Sequence, residues 1–123
     1  MRILVIEDDP TDRKLMGEVL RISGHVVRER ASAEDALEAI AIEQPDVILL
    51  DLRLPGMDGL ALTRRIRATA ATSGIPIVAV TAYPERYRRE DLLAAGCDAS
   101  IIKPIDTRAL AGQLEDAMEK RPQ

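Results

Sequence analysis

The sequence predicts an α/β domain in which a five-stranded parallel sheet carries helices on both faces. Three observations lead there. Runs of four or five apolar residues, of the kind buried on both faces of a sheet, recur with helical segments between them. A strand–helix pair repeats five times along the chain, and alternation at that spacing implies right-handed crossovers and parallel pairing. Four of the five runs end on polar residues, Glu7-Asp8, Asp51, Thr81 and Lys103, which a parallel sheet collects along one edge.

Arg2 to Ile6 is the first strand; it stops at Glu7-Asp8-Asp9, and Pro10 breaks it. From Thr11 to about Ser23, Leu15, Met16, Val19, Leu20 and Ile22 recur at helical spacing, and Gly24 closes that helix. His25 to Glu29 is a shorter, more polar strand, expected near an edge. Ser32, with Asp35 three residues on, resembles a capping box and opens a helix through Ala36, Leu37 and Ile40. Asp46 to Leu50 is the central strand, ending on Asp51. Asp58 caps a third helix, which runs through Leu62 and Ile66 to about Ala70. Ile77 to Val80 is a fourth buried strand. A fourth helix is expected from Tyr83-Pro84 to Gly96, although only Leu92, Leu93 and Ala95 give it an apolar face. Ala99 to Ile102 forms the fifth strand, before Lys103-Pro104. Asp106 is expected to cap the last helix, which carries Leu110, Leu114, Ala117 and Met118 on one side and ends near Lys120.

Composition removes several classes of function. The 123 residues make one domain, and a net charge of −4 argues against nucleic acid as a partner. No apolar run approaches the roughly 18–20 residues of a transmembrane helix, and no leader pattern follows Met1-Arg2. The expectation is a cytoplasmic protein with no membrane partner. The single Cys97 cannot make an internal disulfide and reads as a small core filler. No Cys/His cluster offers a zinc site, and 2 % aromatic residues leave no stacking platform for bases or flavins.

The chemistry is expected at the sheet edge. Ligands of open α/β sheets bind just outside the carboxyl ends of the strands, and there the apolar run Val47 to Leu50, which reads as buried on both faces, stops on Asp51. Glu7, Asp8 and Asp51 together would repel one another unless a cation joined them. Oxygen ligands without His or Cys specify a hard cation, and a small acidic cluster that leaves room for water and phosphate suits Mg²⁺. Lys103 and Thr81 bring a point charge and a hydroxyl suited to phosphoryl oxygens. Asp51 is then either a metal ligand alone or a ligand and a phosphoryl-accepting nucleophile.

Glu7-Asp8, Asp51 in an apolar-Asp-x-x-x-Pro-Gly-x-Asp-Gly setting, Thr81-Ala82 and Lys103-Pro104 resemble the full signature of a two-component response-regulator receiver domain. The resemblance covers essentially residues 1–123. It implies a flavodoxin-like (βα)5 doubly wound sheet in strand order 2-1-3-4-5. Only Arg121-Pro122-Gln123 follows the last helix, so no output domain is expected. The resemblance implies that Asp51 accepts phosphate from a sensor histidine kinase or a histidine phosphotransfer protein. Asp8, Asp51 and the backbone carbonyl of Arg53 would bind Mg²⁺, with Glu7 binding directly or through water. Thr81 and Lys103 would hold the phosphoryl oxygens, helped by N–H groups near Leu52 and Ala82, and the Lys103–Pro104 bond would be cis. Signalling would proceed by altered docking to a downstream protein partner, and a phosphorylation-dependent homodimer through the fourth and fifth helices is a further form of that contact.

Two departures from the family's pattern stand out. Ser100 occupies a position usually held by an aromatic residue, with Tyr83 and Tyr87 as candidates for the missing bulk. Arg53 and Tyr83 fill two positions that tune phosphoryl lifetime, and their size predicts slow autodephosphorylation. An aspartyl phosphohydrolase is disfavoured because Arg53 stands where a general acid is needed. A flavodoxin-type cofactor site is disfavoured because Glu7-Asp8-Asp9 would repel phosphate. The remaining alternative is a receiver-like adaptor that works without phosphorylation. Outside the signature, Asp58 reads as a cap, Asp9 as a neighbour of the site and His25 as a surface residue. Arg86, Arg88 and Arg89 read as a solvated face bordering a partner surface.

Overall fold

The computed structural model describes residues 1–121. Its first half runs β1 (Arg2–Ile6), α1 (Pro10–Ile22), β2 (Val26–Arg30), α2 (Ala33–Ile42) and β3 (Val47–Asp51). The second half runs α3 (Gly59–Ala68), β4 (Ile77–Thr81), α4 (Arg89–Ala95), β5 (Ala99–Ile102) and α5 (Leu110–Glu119). All strand pairs are parallel, in the order β2-β1-β3-β4-β5, so the strand order implied by the resemblance is the one observed. The more polar β2 lies at an edge, as its sequence predicts. The expectation that only a short tail ends the chain concerns Pro122 and Gln123, which lie outside the described residues.

Side chains alternate across a strand, and that alternation divides the core. Leu4, Ile6, Ile48, Leu50, Ile77 and Ala79 face α2, α3 and α4, meeting Ala36, Leu62, Ile66 and Leu92. Ile3, Val5, Val47, Leu49, Val78 and Val80 face α1 and α5, meeting Met16, Leu20, Leu110 and Leu114. Every residue of β3 and β4 is buried, which is why both read as continuous apolar runs.

Local signals set the helix ends. Asp9 caps α1, its Oδ1 accepting from the N–H of Thr11 at 2.8 Å and of Asp12 at 3.1 Å, with Pro10 at the first helical position. Ser32 and Asp58 cap α2 and α3 as predicted, through the N–H groups of Asp35 and Ala61. After α1 the chain turns at Gly24, whose φ of +94° favours glycine, and His25 and Gly24 donate back to Leu20 and Arg21.

Three expectations are corrected. The fourth helix starts at Arg89 rather than at Tyr83-Pro84. From Glu85 to Arg88 only Tyr87 packs against the core, so the helix is confined to the turns carrying the buried Leu92 and Ala95. Asp106 does not cap α5; its Oδ1 accepts from the N–H of Arg108 in a preceding turn, and the helix begins at Leu110. His25 is not a surface residue. Its ring is 10 % exposed, with Nδ1 3.1 Å from the Met1 amino group and Nε2 3.4 Å from Glu115 on α5. Cys97 is a core filler as predicted, and burial raises its thiol pKa, away from reactivity.

The two-sided burial of β3 has a measurable consequence. Leu49 is fully buried in the central strand, whereas Ile102 on the edge strand is 57 % exposed. Leu49→Ala is expected to cost about 3 kcal/mol in urea denaturation and Ile102→Ala less than about 1 kcal/mol. Equal losses would contradict this division of the core.

Candidate functional site

Register and alternation bring the predicted residues together at the carboxyl edge. Ile6 pairs with Leu50, so Glu7 and Asp51 lie level with each other. Both continue the alternation that faces α1 and α5, and Lys103, two residues after Ile101, shares it. Glu7 is fully buried and Asp51 is 6 % exposed, while Asp8 is open to solvent. Carboxylate oxygens of Glu7, Asp8 and Asp51 all lie within 4.8 Å of one another.

Lys103 is the counter-charge. Its Nζ stands 2.5 Å from Glu7 Oε1, 3.2 Å from Asp12 Oδ2 and 3.6 Å from Asp51 Oδ2. The Lys103–Pro104 bond is cis, and the Lys103 N–H donates to the Thr81 carbonyl at 2.8 Å. Burial of Lys103 opposes its charge, but the hydrogen bond with Glu7 and the charges of Asp51 and Glu7 outweigh it and hold its pKa above the ordinary value. Glu7 shows the opposite balance: burial and the adjacent Asp51 push its pKa up to about 8, against the pull of Lys103. There is more negative charge here than one ammonium neutralises.

These groups line a cleft of about 540 Å³ with Asp9, Arg53, Leu54, Pro55, Ala82 and Tyr83. Asp51 Oδ1 accepts from the N–H of Arg53 at 3.0 Å, which leaves Oδ2 toward Lys103. The Leu52 N–H is engaged in the sheet by the Val80 carbonyl at 3.1 Å. The segment after β3 is fixed by a close approach. A Cβ on Gly59 would meet Leu52 Cα at 2.6 Å and the Asp51 carbonyl oxygen at 2.9 Å, so only glycine lets α3 start directly against it.

Thr81 belongs to the other face, following Ile77 and Ala79. It is buried, and its Oγ1 accepts from the N–H of Tyr83 at 2.9 Å rather than meeting the lysine cluster. The guanidinium groups of Arg53 and Arg86 lie over the Tyr83 ring, 4.8 and 5.2 Å from its centroid. Ser100 is exposed and lines a separate groove of about 500 Å³ between α4 and α5. Of the two candidate tyrosines, Tyr87 borders that groove and Tyr83 stands over the acidic cleft.

One residue of the cleft escaped the sequence reading. Asp12, in the first turn of α1, brings a third carboxylate to Lys103, beside those of Glu7 and Asp51. The available signal was its place three residues after the cap Asp9, on the turn that leaves the acidic strand end.

The donor set fits a hard divalent cation: three clustered carboxylates, no nitrogen or sulfur, and one of them solvent-facing.

Comparison with known proteins agrees with this geometry. The family model for the response regulator receiver domain matches residues 3–115. The transcriptional regulatory protein AfsQ1 of Streptomyces coelicolor is 35 % identical over 96 % of this chain and 51 % of its own length. The polar-differentiation response regulator DivK of Brucella ovis is 32 % identical over 84 % of each chain. The solved receiver domain of the sensor histidine kinase PA1611 from Pseudomonas aeruginosa, described with magnesium coordinated in its active-site cleft, superimposes with a TM-score of 0.86. It is 33 % identical, over 97 % of this chain and 98 % of that one. The chain therefore belongs to the receiver domains of two-component response regulators. It spans about half the length of relatives such as AfsQ1. No helix among the described residues is long and apolar enough to cross a membrane.

Glu7 gives the site a pH signature in metal-free solution. Its pKa in the fold, about 8, lies above its ordinary 4.5. Below the ordinary value Glu7 is protonated in both states and contributes no penalty. As pH rises through that window the unfolded chain ionises first, so stability falls, and the loss is complete above the folded value. Glu7→Gln removes this penalty. Denaturation in chelator is expected to show the variant gaining on the wild type between pH 5 and pH 9, by roughly 1–3 kcal/mol. A difference independent of pH would contradict the raised value.

Proposed function

We propose that the chain is a phosphorylation-controlled receiver whose Asp51 accepts a phosphoryl group in a Mg²⁺-dependent reaction. The donor is a sensor histidine kinase or a histidine phosphotransfer protein. The observation that carries this reading is Asp51 itself, at the end of the central buried strand, facing Lys103 and clustered with Glu7 and Asp8. Magnesium in the cleft of the PA1611 receiver supports the choice of metal.

Glu7, Asp8, Asp51 and the Arg53 carbonyl would hold the metal, which when bound supplies charge neutralisation to the phosphoryl oxygens. The protein's own part is positional. A lone pair on Asp51 Oδ2 forms the new O–P bond while the donor's P–N bond breaks, and its electron pair stays on the imidazole nitrogen. Lys103 offsets charge on the transferred group, and the Thr81 O–H donates to a phosphoryl oxygen. The group then gains contacts to Thr81 and Lys103 in only one of two conformations, which biases the equilibrium between them.

Tyr83, with Arg53 over its ring, screens the acyl phosphate from water, and slow autodephosphorylation follows. The output is altered docking to a protein partner in the cytoplasm, on the face formed by α4, β5 and α5. Leu93 and Ile102 are exposed there, and a homodimer through α4 and α5 is one form of that contact. The exposed Ser100 favours a second reading, an adaptor that docks without phosphorylation.

Intact mass after incubation with acetyl phosphate separates the two. The receiver reading expects a gain of one phosphoryl group that requires both Mg²⁺ and Asp51, is absent in Asp51→Asn, and persists for minutes after donor removal. No gain with any donor while Mg²⁺ still binds would establish the adaptor, and decay within seconds would refute the screening by Tyr83.

A further inference from the structure

We infer that Asp12 competes with the phosphoryl group for the Lys103 ammonium and thereby sets how tightly the site holds that group. The inference rests on the receiver reading above.

The ammonium has three N–H donors. Glu7 and Asp12 stand within hydrogen-bonding reach of it, whereas Asp51 at 3.6 Å does not. Lys103 is thus drawn toward β1 and α1 and away from the acceptor carboxylate. Asp12 is not needed to start its helix, because Asp9 accepts from the first N–H groups of α1. Among the described residues the Asp12 carboxylate hydrogen-bonds only Lys103.

A phosphoryl group on Asp51 adds negative charge within a few ångströms of this ammonium. Glu7 is fully buried, so no water can replace the Lys103 hydrogen bond at its Oε1. The Asp12 side chain is 40 % exposed, so water can take over when Lys103 lets go. Asp12 is therefore the partner Lys103 gives up. Once released, its carboxylate lines the same cleft as the incoming anion and repels it. Both effects favour the unphosphorylated site, and Asp12→Asn removes both.

Beryllium fluoride, a stand-in for the phosphoryl group on a carboxylate, tests this without turnover. Binding is followed by fluorine NMR at saturating Mg²⁺ on wild type, Asp12→Asn, Asp12→Glu and Asp9→Asn, with Mg²⁺ affinity measured separately. The Asp9 variant keeps a helix cap while removing a charge of the same loop that does not touch Lys103. The expected result is three- to tenfold tighter beryllium fluoride binding in Asp12→Asn, with Mg²⁺ affinity unchanged or weaker. Asp12→Glu stays within twofold of wild type, and Asp9→Asn changes less than twofold. Unchanged or weaker binding by Asp12→Asn overturns the inference, as does an equal gain in Asp9→Asn, which would reduce the effect to net charge. Failure of the wild type to bind beryllium fluoride would overturn the receiver reading as well.

Discussion

A single ammonium, on Lys103, stands among the carboxylates of Glu7, Asp12 and Asp51, and the order of the site depends on it. Two of these acids are buried almost completely, and without a cation their ionised forms could not share so small a volume. Lys103 is long enough to reach all three from the end of β5, yet its charge balances only one of them. Burial first, and then the neighbouring Asp51, raises the pKa of Glu7 despite that ammonium. The same imbalance suits a site for a divalent cation, because the repulsion that weakens the metal-free fold is what such a cation would relieve.

The sheet supplies the geometry. Five parallel strands end along one edge, and strict alternation decides which face each terminal side chain joins. Glu7, Asp51 and Lys103 share the face covered by α1 and α5, so the first turn of α1 can add Asp12. Thr81 falls on the other face and reaches the cleft through its hydroxyl's link to Tyr83, whose ring is shared with two arginines. Ion pairing and loop conformation are therefore built from opposite sides of the same strand ends.

Most of this was legible in the sequence. Buried strands announce themselves as apolar runs, and the polar residues that stop them mark the edge, so Glu7, Asp8, Asp51, Thr81 and Lys103 could be placed without coordinates. The strand order came with the family resemblance rather than from periodicity. Asp12 was not legible, since its direction depends on how α1 leaves β1, a tertiary matter that one acid among several does not reveal. The start of α4 and the place of Asp106 were misjudged for a related reason. Proline and aspartate mark turns as well as helix starts, and only packing against the sheet decided which turns became helix. His25 looked like a surface residue because its neighbours from the chain start and α5 are distant in sequence.

The central claim, that the Lys103 ammonium holds the acidic edge together until another cation takes its place, is tested most directly by denaturing Lys103→Met in chelator and again with Mg²⁺. The account predicts a loss of roughly 2 kcal/mol relative to wild type in chelator, most of it recovered when Mg²⁺ is added. A variant as stable as the wild type in chelator, or one that Mg²⁺ does not rescue, would contradict it.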